Sequence, residues 1–237
     1  MTSRFQNFFK WSSAVLRYNG PMVLLWRLLQ KGVSRFGRLE MVTLFEKDLS
    51  QPLKDAKKLA DLTITLATES DIEPLVKLIG ERFKTQESSR IKEFEDLIHQ
   101  RFKKGSFCFL GKIGKEIVHY AWISFHWGES LGGHFIHLKD DEALLLDAFT
   151  LEKWRGQGIL PAVVDQMIYY LQQHGYLKFY VLVDTDNKSS KKTFQRLGWL
   201  PLGIVFSFTP RGASKGWILP LKRKLAYLLK YYIPNST

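Results

Sequence analysis

The chain has 237 residues, 45% of them hydrophobic, which suffices for one packed domain plus an appendage and excludes a disordered chain. Its single cysteine, Cys108, excludes an internal disulfide framework and a thiolate zinc cluster within one chain, and points to a reducing, cytoplasmic setting. The formal net charge of +12 is unevenly spread: all 23 acidic residues lie between Glu40 and Asp186, whereas residues 1–39 carry seven Lys and Arg and residues 187–237 carry ten. Two purely cationic ends suit partners such as anionic lipid, nucleic acid or a phosphorylated cofactor.

At the amino terminus, Asn19-Gly20-Pro21 is a turn between two helical patterns. In the second, Met22, Leu25, Trp26, Leu29, Val33 and Phe36 share one face and Arg27, Lys31, Ser34, Arg35 and Arg38 another. Such a helix fits either of two places. It can lie in the headgroup region of an anionic membrane, at its inner face, or it can pack on the domain that follows or on a second subunit in a homodimer. No segment is long enough to span a bilayer, and Arg4, Lys10 and Arg17 interrupt the first pattern too often for a secretory signal.

Residues 41–60 read as a connection, with Val42–Phe45 extended and a break at Ser50-Gln51-Pro52. The organisation expected is a basic helical extension and linker over 1–58, a domain over 59–220 and a basic tail over 221–237. Within the domain, Leu62–Ala67 alternates as a strand, and Ser70-Asp71-Ile72-Glu73 predicts a capping box for a helix to about Phe83. A second helix follows over Ser88–Phe102. Ser106–Lys112 and Glu116–Trp127 are strands around the Gly114-Lys115 turn. His134 and His137 have no carboxylate at a ligand interval, so no metal site is expected.

The apolar run Ala143–Thr150 leads into Trp154-Arg155-Gly156-Gln157-Gly158-Ile159 and then a helical pattern to Leu171. A strand that opens through a short Arg/Gly loop into a helix aims unpaired backbone N–H groups, and the positive helix end, at one spot that suits a pyrophosphate. Another apolar run, Lys178–Asp184, precedes Asn187 and a short helix stopped by Gly198 in Leu197-Gly198-Trp199. Leu200–Phe208 and Gly216–Pro220 complete the strands.

On these two motifs the chain resembles the GCN5-related N-acetyltransferase (GNAT) superfamily, whose members move acetyl from acetyl-CoA to an amine. The family's Arg/Gln-x-x-Gly-x-Gly/Ala loop matches Arg155, Gly156, Gln157, Gly158, Ile159 and Leu160, with Leu160 replacing the usual small residue. The resemblance implies an α+β GNAT fold with a central mixed sheet flanked by helices. It also implies acetyl-CoA as co-substrate and a direct attack by an amine whose identity the sequence does not reveal. It assigns to the cofactor the loop residues together with Phe149 and Thr150 at the strand end, Asn187, and Phe194. Phe194 stands where many members carry a Tyr that can protonate the departing thiolate. Asn187 is equally suited to cap the helix it precedes.

An alkyl amine is mostly protonated at neutral pH, so a carboxylate or a water chain must take a proton before attack. Two carboxylates are candidates. Glu142, thirteen residues before Arg155, resembles in spacing the catalytic Glu of the histone-acetyltransferase branch. Asp147, mid-strand between Leu146 and Ala148, is costly unless it faces a cleft or a partner. Strict alternation puts the two on opposite faces, and Asp147 is the preferred base. Tyr120, Trp122, Phe125, His126 and Trp127 are candidates to line an acceptor pocket, or are core. The stretch from Asp147 to Pro161 also resembles a bacterial GNAT group associated with envelope saccharide and lipid assembly. The competing reading is a non-catalytic binding module of the same fold, docking to membrane, protein or nucleic acid. No motif that reads RNA or DNA accompanies the basic residues, which makes nucleic acid the weaker option.

Overall fold

A computed structural model describes residues 21–51, 59–84, 87–125, 127–131, 134–213 and 216–220. The first helical pattern before Asn19, His126 and the basic tail 221–237 lie outside the described residues. In chain order the elements are α1 (Pro21–Val33), β1 (Gly37–Asp48), β2 (Leu62–Leu66), α2 (Ile72–Phe83), α3 (Ser88–Lys103), β3 (Phe107–Ile113) and β4 (Glu116–Ser124). Then come β5 (Trp127–Leu131), β6 (His134–His137), β7 (Glu142–Thr150), α4 (Ile159–Gln173), β8 (Lys178–Asp184), α5 (Lys188–Arg196), β9 (Leu200–Pro210) and β10 (Trp217–Pro220). The class is α+β, a mixed sheet flanked by helices, with a helix ahead of it. The chain divides into two compact units, one of Glu46–Glu129 with His137–Val181, the other of Met1–Phe45, Ser130–Ile136 and Leu182–Thr237.

In the first unit the strand order is β8-β7-β4-β3-β2. Every pair is antiparallel except β7 with β8, and that parallel pair requires a crossover, which α4 supplies. Period-two alternation on β3 and β4 divides the packing. Cys108, Leu110, Tyr120 and Trp122 meet Leu75, Ile79 and Ile98 of α2 and α3 in one core. Phe107 and Phe109 instead turn to Tyr170 of α4, whose Val163, Val164, Met167 and Leu171 are buried. Because β4 is covered on both faces, it reads as an unbroken apolar run with His119 within it.

The start of α2 differs from expectation. The capping box is Thr68 with Asp71, two residues earlier than predicted, through a short 3-10 turn at Glu69–Asp71. Asp71 accepts from the Thr68 backbone N–H at 3.0 Å and also holds Lys112 of β3 at 3.0 Å. The second contact fixes which of two neighbouring boxes the helix uses, information that lies outside the local sequence.

The second unit has the order β10-β9-β1-β8. The predicted connection over 41–60 begins as strand: β1 runs to Asp48, with Val42, Thr43, Leu44 and Phe45 all buried. A strand covered on both faces shows no alternation, which is why it reads as a plain extended stretch. A Cβ at Gly37 would collide with the Thr209 carbonyl and the Phe208 ring, so glycine is what lets β1 begin against β9. The helix α1 also stops sooner than its pattern implies. Phe36 N–H donates to the Val33 carbonyl in a closing turn, and Phe36 and Arg38 fall beyond the helix. Its contacts run through Trp26 of the predicted apolar face, edge-on to Phe206, and through Arg27 of the other face, paired with Asp186 at 2.7 Å, while Leu25 and Leu29 of the apolar face stay exposed. The expected strand Glu116–Trp127 likewise ends at Ser124, and β5 and β6 pair with each other in a separate ribbon, where His134 and His137 lie.

Candidate active site

A bulge in β7 arranges the site. Trp122 of β4 is opposite Asp147, but the next residue, Ile123, is opposite Leu145, so Leu146 is an extra residue on β7. The bulge inverts the alternation. Glu142 and Leu144, Asp147 and Phe149 all share the face of Ser124, Trp122 and Tyr120, which corrects the expectation that the two carboxylates face opposite sides. At the same level the parallel ladder to β8 ends, its last pair being Leu145 with Val181. The backbone edge of residues 146–150 that points away from β4 lies outside that ladder.

Asp147 sits under two guanidinium groups. Its Oδ1 accepts from Arg82 Nη1 at 2.6 Å and its Oδ2 from Arg101 Nη1 at 3.4 Å, while the Tyr120 hydroxyl donates to Oδ2 at 3.3 Å. Arg82 Nη1 also reaches the Tyr120 oxygen at 2.7 Å. A carboxylate at this depth needs such partners, because an unpaired buried charge costs several kcal/mol. Burial pulls the Arg82 pKa down, but Asp147 and Tyr120 more than offset it, so Arg82 stays charged. Burial and then the Asp147 charge push the Tyr120 hydroxyl up, so it stays protonated. Arg82 and Arg101 were not singled out from the sequence. On α2 and α3 they look like ordinary helical surface charges, and only the packing of these helices on β4 and β7 turns them inward.

Glu142 is buried at the start of β7. It accepts from the Lys139 backbone N–H at 3.0 Å and from the Tyr180 hydroxyl at 3.3 Å, contacts that fasten the turn into the strand. Tyr120 and Trp122 lie in the core, and Phe125 is buried against Phe107. Trp127 begins β5.

Beyond β7 the loop takes the predicted form. Gly156 and Gly158 have φ of 79° and 83°, and a Cβ on either would meet nothing within 4 Å, so the positive φ rather than crowding selects glycine. Gly158 is the N-cap residue of α4, with its carbonyl accepting from Ala162 at 3.1 Å. The N–H groups of Ile159 and Leu160 therefore begin the helix with no carbonyl four residues back inside it, and Pro161 adds none. Ile159 is buried beneath the loop, facing Gly111. Arg155 Nε donates to the Thr150 carbonyl at 3.1 Å with its guanidinium over the Phe149 ring at 5.5 Å, and Gln157 donates to the Lys153 carbonyl at 3.3 Å. Thr150 is tied below as well: its Oγ1 is 2.7 Å from Nδ1 of His119.

Two expected cofactor residues belong to the other unit. Asn187 caps α5, its side chain accepting from the Ser190 N–H at 3.1 Å. Phe194 is buried between Phe45 and Trp199. Among the described residues no group of His, Cys, Asp and Glu could hold a metal ion.

The family model described as "Acetyltransferase (GNAT) family" matches residues 72–199, more than half of the chain. No curated protein matches. Among solved structures, a functionally unknown conserved protein from Staphylococcus epidermidis is 15% identical with a TM-score of 0.55, the match covering 79% of this chain and 66% of that one. A GCN5-related N-acetyltransferase from Sphaerobacter thermophilus is 14% identical with a TM-score of 0.53, covering 79% of this chain and 56% of that one. At such identity the likeness is one of fold, and the chain spans less than two thirds of either protein.

The His119–Thr150 contact yields a test. His119 is fully buried, and its Nε2 has no partner among the described residues. Burial pulls its pKa from 6.5 down to about 3, with Asp147 acting weakly in the opposite sense. The unfolded chain therefore binds a proton, below pH ~6.5, that the folded chain refuses until about pH 3, and stability falls as pH drops through that window. Urea unfolding at pH 7, 6, 5 and 4 should show a steeper loss for the wild type than for His119→Gln. Parallel profiles would refute a buried neutral His119.

Proposed function

The chain belongs to the acetyltransferase (GNAT) family, and on that premise we propose that it is an acyl-CoA-dependent N-acyltransferase moving acetyl from acetyl-CoA to an amine by direct attack. The observation that carries the reading is the loop from Arg155 to Leu160. Two glycines at positive φ adjoin a helix start, the arrangement that suits a pyrophosphate, and nothing lies within 4 Å of a Cβ built at either glycine, which leaves the approach open. Bound there, acetyl-CoA supplies the thioester. The free edge of β7 over residues 146–150 can pair with the amides of an extended pantetheine arm as it would with another strand. Arg155, held over Phe149 by the Thr150 carbonyl, sets a cation beside the loop.

Asp147 is the proposed proton acceptor for the attacking amine, directly or through water. Its two guanidinium partners lower the pKa of an ammonium brought beside them, so that more of the amine is neutral. The nitrogen–carbon bond forms as the carbon–sulfur bond breaks, and the thiolate takes its proton from water. The proposed acceptor is an amine of a cell-envelope saccharide or lipid precursor, a reading supported by the resemblance over Asp147–Pro161 and by the cationic chain ends.

A peripheral membrane location is supported by exposed apolar side chains in the second unit. Leu25 and Leu29 of α1 are 63% and 52% exposed, and Trp217 and Leu219 of β10 are 69% and 62% exposed. Trp217 and Leu219 stand opposite Phe208 and Phe206, on the face where Trp26 meets Phe206, with exposed Arg35, Arg38 and Arg211 in the same unit. Tryptophan and leucine among arginines is the chemistry of an anionic headgroup layer. Among the described residues no helix is long and apolar enough to cross a membrane.

Calorimetry should show CoA binding by the wild type and a Kd at least tenfold weaker for Gly158→Asp, whose carboxylate opposes the pyrophosphate by charge and bulk. Equal affinity would remove the loop from the site.

Asp147→Asn should lower kcat/KM by roughly 10²-fold while CoA affinity stays nearly intact. A loss seen in Glu142→Gln instead would move the base to that residue. CoA binding without turnover of any amine would mark a non-catalytic binding module.

Vesicles of anionic lipid should co-sediment with the protein and neutral vesicles should not, less so at high salt. The double variant Leu25→Glu with Leu29→Glu should stay in the supernatant. Unchanged sedimentation of that variant would overturn the membrane reading.

A further inference from the structure

We infer that the acceptor carries an oxyanion, a carboxylate or a phosphate, and that Arg82 receives it next to the attacking amine. The inference rests on the acyl-transfer reading of the same site and concerns only what that site accepts. Arg82 lies in the last turn of α2 and is fixed from three sides. Its Nη1 donates to Asp147 at 2.6 Å and to Tyr120 at 2.7 Å, and its guanidinium stands 5.1 Å from the Phe83 ring centroid and 5.6 Å from that of Phe149.

All of these polar contacts use one amino group. Nε and Nη2 have no partner among the described residues, and the side chain is 31% exposed. Two parallel N–H donors along one guanidinium edge match the spacing of two oxygens of a carboxylate or phosphate, a match that a lysine ammonium lacks. A counter-ion serving only Asp147 needs no exposed edge, and Arg101, almost completely buried, already attends that carboxylate from within the core. Arg82 differs from it in being half open.

The placement has a consequence for selectivity. A polyamine or another wholly cationic acceptor would approach Asp147 past the Arg82 charge and be repelled. An acceptor bearing an oxyanion a few bonds from its amine meets an attractive fork, which then holds the nitrogen beside Asp147. Arg82 thus acts by positioning the acceptor and does not itself take part in proton transfer.

Matched pairs that share one amine test this with the full chain and acetyl-CoA: glycine against glycinamide, and glucosamine 6-phosphate against glucosamine, with CoA release as the readout. The member carrying the oxyanion should be favoured in kcat/KM by about tenfold or more in at least one pair, the scale of a charge-assisted hydrogen bond, and which pair responds distinguishes carboxylate from phosphate. Arg82→Gln should bring that ratio close to one with the acetyl-CoA Kd unchanged, and Arg82→Lys should restore it only in part. Equal or better use of the neutral members by the wild type overturns the inference, as does an Arg82→Gln variant that weakens both members of a pair alike. Should the Gln variant fail to fold, the wild-type ratios and the Lys variant decide. If no oxyanion-bearing amine reacts or binds calorimetrically to the CoA-loaded wild type, the inference is likewise overturned. Failure of the wild type to bind CoA at all strikes instead at the acyl-transfer reading.

Discussion

One extra residue in β7 sets which side chains surround Asp147. Without the bulge, with Leu146 opposite Trp122, alternation would turn Asp147 and Phe149 toward α4, the side of Ala121 and His119. With it they turn toward α2 and α3, where Arg82, Arg101 and Tyr120 converge. The same level of the strand ends the ladder to β8. A single irregularity therefore places a carboxylate among cations and frees a backbone edge, and bulges commonly re-aim side chains in this way. The arrangement holds only because each buried charge is matched. A carboxylate with two guanidinium partners is tolerable at that depth, and the same carboxylate alone is not.

From this point the strand delivers its last residues to the loop through a short chain of contacts. Thr150 is the joint: its hydroxyl meets His119 below, and its carbonyl takes Arg155 from above. Phe149 lies one residue before, with the Arg82 and Arg155 guanidinium groups both over its ring, so the cation at the loop and the cation beside Asp147 share one aromatic support. Such cation–π contacts are worth about 0.5–2 kcal/mol each, enough to hold two long side chains in place but too little to compensate for a misplaced strand.

Much of the frame was legible in the sequence because its signals are local. The glycines at 156 and 158 stand where positive φ is needed, Gly198 ends α5, and the runs at Leu62, Ala143 and Lys178 are strands. The family motif lies on those elements, and the family is the one the sequence resembles. What was not legible depends on pairing across the sheet. No glycine or proline marks the bulge at Leu146, which arises only when β7 is laid against β4. Arg82 and Arg101 look like solvated helix charges until the packing faces of α2 and α3 are known. The end of α1 at Val33 was missed because the apolar pattern runs on through Phe36, while close packing at Gly37 against Phe208 commits the chain to a strand.

The missing tyrosine gains meaning from this arrangement. Phe194 fills an aromatic cluster with Phe45 and Trp199 and has no proton to give. Tyr120 does have a hydroxyl, but burial and the adjacent carboxylate raise its pKa and its hydrogen bonds tie it to Arg82 and Asp147, which makes it a fixed donor and a poor acid. A leaving thiol with a pKa near ~8.5 is a stable enough anion to depart first and be protonated by water afterwards. In the proposed reaction the demanding step is then the generation of a neutral amine. A cluster richer in guanidinium than in carboxylate favours that step, because its field disfavours the ammonium form at the point of attack. In that proposal Arg82 and Arg101, both paired with Asp147, do by electrostatics part of what a strong base would do by proton affinity.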